Sequence, residues 1–138
     1  MKVFADTSGL FASIVRNDRM HGDAKPLFSL LLETGAEIHT TSYVLLETLA
    51  LLQARAGIGA AQAFEHAIRP LLRVTWVDES LHSRAFLRLE RIGLRSVSLV
   101  DCAGFEVMEA VGIRAAFAYD PHFEEQGFLL LQTVEDVG

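Results

Sequence analysis

Short segments typical of strands alternate with longer helical segments along almost the whole chain, and this alternation constrains the fold more than any other feature. The predicted strands are Val3–Ala5, which is an uninterrupted apolar run, and Ala36–Thr40, Val74–Val77, Ala115–Tyr119 and Phe128–Gln132. Uninterrupted apolar runs are typical of strands buried on both faces, and strands separated by helices usually run parallel. The sequence therefore predicts a three-layer α/β/α sandwich with a mainly parallel central sheet of four to five strands.

Helices are predicted between these strands, because capping residues and glycines mark their ends. The predicted helices are one that Ser8 caps and that ends near Asp18, then His21–Thr34, Tyr43–Arg55, Ala60–Leu71, Glu79–Ile92 and Leu99–Val111. No repeat, linker or low-complexity segment divides the chain, so residues 1–138 are predicted to form one domain.

The chain has 138 residues, enough for a substantial core, and a formal net charge of -6. An acidic protein is poorly suited to broad, sequence-independent binding of duplex nucleic acid, which depends on neutralising phosphates with Lys and Arg. A bound metal would supply local positive charge even on an acidic surface, so the net charge does not exclude phosphate chemistry at a metal site.

Cysteine content and apolar stretches indicate the compartment. Cys102 is the only cysteine, so no disulfide can form within the chain and a reducing compartment is expected. The amino terminus has no apolar region of signal-peptide length, and the most apolar stretch, Tyr43 to Ala54, is interrupted by Glu47 and too short to span a membrane. These features predict a soluble cytoplasmic protein.

Four carboxylates are the candidate functional residues: Asp6, Glu47, Asp101 and Asp120. Asp6 and Asp120 each end a predicted strand, and the carboxyl ends of parallel strands share the sheet edge where open α/β folds bind ligands. Glu47 and Asp101 lie on helices that could reach the same edge. Acids brought together repel one another unless they share protons or a cation, and oxygen ligands suit Mg²⁺ or Mn²⁺. The pattern predicts a metal site suited to phosphodiester hydrolysis.

Each carboxylate also has an ordinary structural explanation. Asp6 could cap a helix, although Ser8 could cap it alone and leave Asp6 free. Asp101 lies in a first helical turn, where an acid interacts favourably with the helix dipole. Asp120 could form a turn, and Glu47 could face water. The case for a site therefore depends on the four acids sharing one edge.

The surroundings of these acids resemble those of a known family. The matching segments are Phe4-Ala5-Asp6-Thr7-Ser8, Glu47 within Thr41–Glu47, Ser98-Leu99-Val100-Asp101, and Tyr119-Asp120-Pro121-His122-Phe123 followed by Gly127-Phe128. In order and context they resemble the PIN-domain nucleases, and most closely the small stand-alone members such as the VapC toxins of prokaryotic toxin–antitoxin pairs. The resemblance extends from Val3 to about Leu131.

The resemblance implies a Mg²⁺- or Mn²⁺-dependent endoribonuclease in which the four acids are catalytic and hold the metal. Thr7, Ser8 and Ser98 would lie close to them. It also implies an RNA substrate, a cognate antitoxin and a homodimer. Many relatives carry Thr or Ser two residues before the last acid, where this chain has Ala118. The alternative is a catalytically weak PIN-fold module that acts by binding protein partners.

Other residues could suggest further sites. Arg84, Arg88 and Arg91 recur at helical spacing and could follow an RNA backbone or an acidic partner, although a solvated helix face is the commoner arrangement. His122 lies close to Asp120 and could touch the substrate, although we interpret it as a turn residue. Cys102 is predicted to be a small buried apolar residue, and Trp76 a core residue.

Overall fold

The computed structural model describes residues 1–138 and contains a five-stranded sheet in which every neighbouring pair of strands is parallel. The strands are β1 (Lys2–Ala5), β2 (Glu37–Thr41), β3 (Arg73–Thr75), β4 (Ala115–Phe117) and β5 (Leu129–Leu131). Their order across the sheet is β3-β2-β1-β4-β5. The predicted parallel sheet is confirmed, with strand ends shifted by a few residues.

Helices cover both faces of the sheet, which confirms the predicted α/β/α sandwich. They are α1 (Thr7–Ile14), α2 (His21–Glu33), α3 (Ser42–Ala56), α4 (Ile58–Ala63), α5 (Glu79–Ile92), α6 (Leu99–Val111) and α7 (His122–Glu125). The predicted bounds of α5 and α6 are correct at both ends, whereas α7 was not predicted. No helix combines the length and the apolar character that crossing a bilayer requires.

The segment after α4 differs from the predicted helix over Ala60–Leu71. A π-helical turn, Phe64–Ile68, and a 3-10 turn, Arg69–Leu71, replace its second half. Pro70 lacks a backbone N–H and cannot donate to the carbonyl four residues earlier, so a regular α-helix does not continue through it.

The central strands β1 and β4 are buried on both faces, as the apolar run Val3–Ala5 predicts for β1. Phe4 on β1 and Phe117 on β4 are both fully buried. Because Phe117 pairs with the residue after Phe4, the two rings point to opposite faces. The ring of Phe4 contacts Phe123 of α7 at 6.0 Å, and that of Phe117 stacks on Phe28 of α2 at 6.0 Å. These contacts fix a helical layer to each face.

Trp76 is not a core residue, so that prediction is wrong. β3 is an edge strand that ends at Thr75, and the side of the sheet beyond it is open. Trp76 therefore lies outside the sheet and is 67% exposed. Cys102 is fully buried, as predicted, and burial raises the pKa of its thiol to about 11.

Arg88 joins α5 to α6 instead of facing solvent, which corrects the interpretation of the arginine face. Its side chain is 11% exposed and donates to Glu106 at 2.9 Å and to Glu109 at 2.8 Å. Its guanidinium also lies 5.2 Å from the centre of the Phe105 ring. Arg91 by contrast is exposed.

Arg88→Ala should lower the free energy of unfolding by about 2 kcal/mol, because it removes the ring contact and leaves the half-buried Glu106 carboxylate with only the more exposed Arg84, 3.9 Å away. Chemical denaturation measures this change. Arg91→Ala is the matched control and should change stability by less than about 0.5 kcal/mol. Equal effects of the two substitutions would contradict a packing role for Arg88.

The order of the strands places a crevice between β1 and β4. Along the chain, β1, β2 and β3 are added one after another towards one edge of the sheet. The next strand, β4, then pairs with β1 on its other side. In open α/β sheets such a reversal leaves a crevice at the carboxyl ends of the strands, where ligands bind. The backbone N–H of Asp6 extends the β1–β4 pairing with a 3.1 Å hydrogen bond to the carbonyl of Phe117. The residues that follow β1 and β4 are therefore neighbours.

Candidate metal centre

Asp6 caps α1 and also faces the crevice. Its Oδ2 accepts hydrogen bonds from the backbone N–H of Ser8 at 3.2 Å and from the Ser8 hydroxyl at 2.7 Å. The prediction that Ser8 caps the helix is wrong, since Ser8 lies inside α1. Burial raises the pKa of Asp6 to about 7; the bonds from Ser8 oppose the rise, and the charges of Asp101 and Asp120 add to it. A carboxylate so placed lacks a compensating cation.

The Ser8 hydroxyl ties the ends of β1 and β4 together. Besides donating to Asp6, it accepts the backbone N–H of Tyr119 at 2.9 Å. Ala118, at the position where the sequence resemblance leads us to expect a hydroxyl, is fully buried. A hydroxyl from α1 therefore links Asp6 to the segment that carries Asp120.

Asp101 has a structural role as well as a place in the crevice. It forms a capping box with Ser98: Asp101 Oδ2 accepts the Ser98 backbone N–H at 3.0 Å, and the Ser98 hydroxyl accepts the Asp101 N–H at 3.1 Å. Burial raises the pKa of Asp101; the Ser98 N–H opposes the rise and the charge of Asp120 adds to it. The box fixes the carboxylate at the start of α6.

Asp120 is the more open acid, with 30% of its side chain exposed. Its Oδ1 accepts the backbone N–H of His122 at 2.9 Å and lies 3.4 Å from Nε2 of the same residue. Asp101, Asp120 and His122 can bring one ligand atom each to within 4.8 Å of one another. Burial lowers the pKa of His122, but the neighbouring carboxylates of Asp120 and Glu125 outweigh it, and the net pKa is raised.

All four predicted acids line one cavity of about 450 Å³ at the crevice. Glu47 reaches it from α3 and is half-buried. Thr7, Ser8 and Ser98, which were predicted to lie close to the acids, line the same cavity. Arg19 is its one cationic lining residue and is exposed. The structure therefore brings together every residue that the sequence predicted for the metal site.

The donor set fits a hard divalent cation. The cavity is lined by the carboxylates that follow β1 and β4, by those on α3 and α6, and by Asp18, and oxygen ligands are those that Mg²⁺ and Mn²⁺ prefer. Thr7 is 5% exposed, and its hydroxyl has no hydrogen-bond partner although it lines the same cavity. Because buried hydroxyls are normally paired, the Thr7 hydroxyl is an unsatisfied polar group next to the acids.

The sequence placed His122 near Asp120 but did not predict that its ring joins the acidic cluster. The interpretation as a turn histidine overlooked α7, which starts at His122 and turns the ring back towards Asp120. The sequence signal that could have revealed this contact is the position of His122 two residues after Asp120, directly after a strand. That spacing brings the two side chains to one side of a tight turn.

Comparison with known proteins decides the family. The model of the PIN domain matches residues 3–129. The chain belongs to the PIN-domain family. Among named PIN-domain proteins it is similar to the 23S rRNA-specific endonuclease VapC20 of Mycobacterium tuberculosis, with 37% identity over 129 residues. The match covers 92% of this chain and 95% of that protein.

Solved structures agree with this assignment. The crystal structure of M. tuberculosis VapC20, described as a sarcin–ricin loop cleaving toxin, superposes with a TM-score of 0.85 at 36% identity. It covers 94% of this chain and 98% of that chain. FitAcB from Neisseria gonorrhoeae has a TM-score of 0.65 at 11% identity, over 95% and 96% of the two chains, and supports the fold alone. The predicted resemblance to PIN domains is confirmed.

Proposed function

We propose that this PIN domain is a metal-dependent endoribonuclease and the toxin of a toxin–antitoxin pair. The observation that carries the proposal is the convergence of Asp6, Glu47, Asp101 and Asp120 on one cavity. Residues so far apart in sequence meet there with only one cation, the exposed Arg19, at the cavity, and this excess of negative charge is unfavourable unless a ligand compensates it. The similarity to VapC20, a named 23S rRNA-specific endonuclease, supports the choice of reaction.

The four acids are the proposed metal ligands and catalytic residues, and the chain positions them in different ways. Ser8 orients the carboxylate of Asp6, and the capping box holds that of Asp101. When bound, Mg²⁺ or Mn²⁺ supplies charge that stabilises the phosphoryl group in the transition state and favours ionisation of water.

The proposed substrate is structured RNA, and the sarcin–ricin loop of 23S rRNA is the first to test because VapC20 is described as cleaving it. The exposed Arg19 at the cavity can contact a phosphate next to the scissile bond. The test incubates the purified chain with 23S rRNA and Mg²⁺ or Mn²⁺ and maps the ends that are produced. Intact RNA with either metal would favour the alternative of a catalytically weak binding module.

The proposed partners are a cognate antitoxin and a second copy of the chain. The acidic cavity is complementary to a basic side chain, which is how an antitoxin could occupy it. Co-expression with the product of the neighbouring reading frame tests the first partner, because a cognate antitoxin should relieve growth arrest. Light scattering of the purified chain tests the homodimer.

Mg²⁺ or Mn²⁺ should raise the melting temperature, because a ligand that binds only the folded form stabilises it by mass action. At a concentration about 100 times the dissociation constant, the gain is about 2.7 kcal/mol, which corresponds to several degrees. Differential scanning calorimetry with and without metal measures the shift. Asp101→Asn should reduce it strongly, whereas the exposed Asp23→Asn should retain it. An equal shift in both variants would indicate metal binding elsewhere.

A further inference from the structure

His122 stands beside the proposed metal ligands on a short helix. It is the first residue of α7, and only 13% of its side chain is exposed. The next residue, Phe123, is fully buried between Phe4 and Phe105. The backbone of α7 is thereby anchored to the core, and the His122 ring is held next to Asp120 and Asp101.

The two ring nitrogens of His122 have different neighbours. Nε2 lies 3.4 Å from Asp120 Oδ1, on the side of the acidic cluster. Nδ1 lies 3.4 Å from Glu125 Oε2, on the opposite side of the ring. A histidine that binds a metal commonly donates its other N–H to a carboxylate, which fixes the tautomer and the orientation of the ring. Glu125 is in the position to accept such a hydrogen bond.

We propose that His122 is a nitrogen ligand of the bound metal, that Glu125 positions its ring, and that the pair makes the site select Mn²⁺ over Mg²⁺. The inference rests on the proposed metal site and adds a ligand and an ion preference to it. Mg²⁺ prefers oxygen ligands and is reluctant to lose its waters. First-row transition ions such as Mn²⁺ accept an imidazole nitrogen more readily than Mg²⁺ does. A single nitrogen ligand therefore favours the binding of Mn²⁺ over that of Mg²⁺.

The competing role of His122 is that of a cation. A protonated ring beside Asp120 would partly neutralise the acids in the metal-free protein and would be repelled by an incoming ion. The two roles predict opposite effects of His122→Asn. Loss of a ligand weakens Mn²⁺ binding, whereas loss of a competing cation strengthens the binding of both ions.

Calorimetric titration of the full chain with MnCl₂ and with MgCl₂ separates these roles. We expect His122→Asn to weaken Mn²⁺ binding at least about tenfold and Mg²⁺ binding less than about threefold. Glu125→Gln, at an exposed position, should weaken Mn²⁺ binding in the same direction by a smaller factor. His66→Asn replaces an exposed histidine on another face and is the control, with both affinities unchanged.

Electron spin-echo spectroscopy of Mn²⁺ bound to the wild-type chain gives a direct readout that needs no variant. Coupling to an imidazole nitrogen is expected, and it should disappear in His122→Asn. Mn²⁺ that binds with no nitrogen coupling, or that binds His122→Asn as tightly as the wild type, would overturn the inference and leave the acidic site standing. Failure of the wild type to bind either ion would overturn the proposed metal site as well.

Discussion

Asp6→Asn should abolish RNA cleavage and, in the metal-free protein at neutral pH, raise the free energy of unfolding. The loss of activity is expected to be at least about 100-fold, because the substitution removes a proposed metal ligand and even indirect partners of such ligands contribute 10-fold to 100-fold. An amide oxygen can still accept the N–H of Ser8, so the cap of α1 is retained. Function and stability should therefore change in opposite directions.

The gain in stability follows from the raised pKa of Asp6. The folded protein keeps the proton up to pH of about 7, whereas the unfolded chain loses it near 3.8. The unfolded state therefore binds fewer protons across this window, and stability falls as the pH rises through it. The difference between the two values, at about 1.4 kcal/mol per pH unit, corresponds to at most roughly 4 kcal/mol above pH 7. Asparagine removes this pH-dependent loss.

Denaturant titrations of metal-free wild type and Asp6→Asn, at pH values on both sides of neutrality, measure the effect. Asp23→Asn, which alters an exposed acid, should change neither cleavage nor the pH profile of stability. Cleavage at the wild-type rate in Asp6→Asn would remove Asp6 from the site. A variant less stable than the wild type at every pH would show that the carboxylate is needed for the fold.

Gly9→Ala should strongly destabilise the protein although it adds only one methyl group, because Gly9 of α1 lies directly against β4. A Cβ at Gly9 would lie 2.4 Å from the carbonyl oxygen of Phe117 and 2.9 Å from Cδ2 of its ring. The oxygen belongs to the backbone of β4 and accepts the N–H of Asp6, so it cannot move aside without disturbing that pairing. We expect a loss of about 3 kcal/mol, or roughly 10 °C in melting temperature.

Gly59→Ala provides the control for this prediction. Gly59 lies within α4, and a Cβ there would have no neighbour within 4 Å. Alanine should leave stability unchanged or raise it by up to about 1 kcal/mol, since it favours the helix more than glycine does. Thermal melts of the two variants compare the same added methyl group. Similar melting temperatures would contradict close contact between α1 and β4.

The sequence was sufficient for the fold because local signals and the hydrophobic pattern agree. Ser98 and Gly112 bound α6, and Gly93 ends α5 in the left-handed conformation that favours glycine. The positions of the four acids around one edge also followed, because parallel strands end on the same side. Their roles as ligands and catalytic residues remain predictions.

What the sequence could not supply depends on contacts between distant elements. In the sequence, Arg88 has the same helical spacing as Arg84 and Arg91. Only the structure shows that Arg88 faces the acids Glu106 and Glu109 of α6. Trp76 has the composition of a core residue, but the sheet ends one residue earlier at an exposed edge. The choice of Asp6 over Ser8 as the cap depends on Ser8 bonding to Tyr119 across the crevice. Single-sequence patterns carry no information on such pairings.

The bridge made by the Ser8 hydroxyl has a consequence during synthesis of the protein. Ser8 and Tyr119 are 111 residues apart, so this bond cannot form until β4 has left the ribosome and paired with β1. A nascent or truncated chain without β4 would carry Asp6, Glu47 and Asp101 but would have no assembled cavity. If the chain is a toxin, its activity therefore begins only after most of it has been made, which separates translation of the chain from attack on RNA.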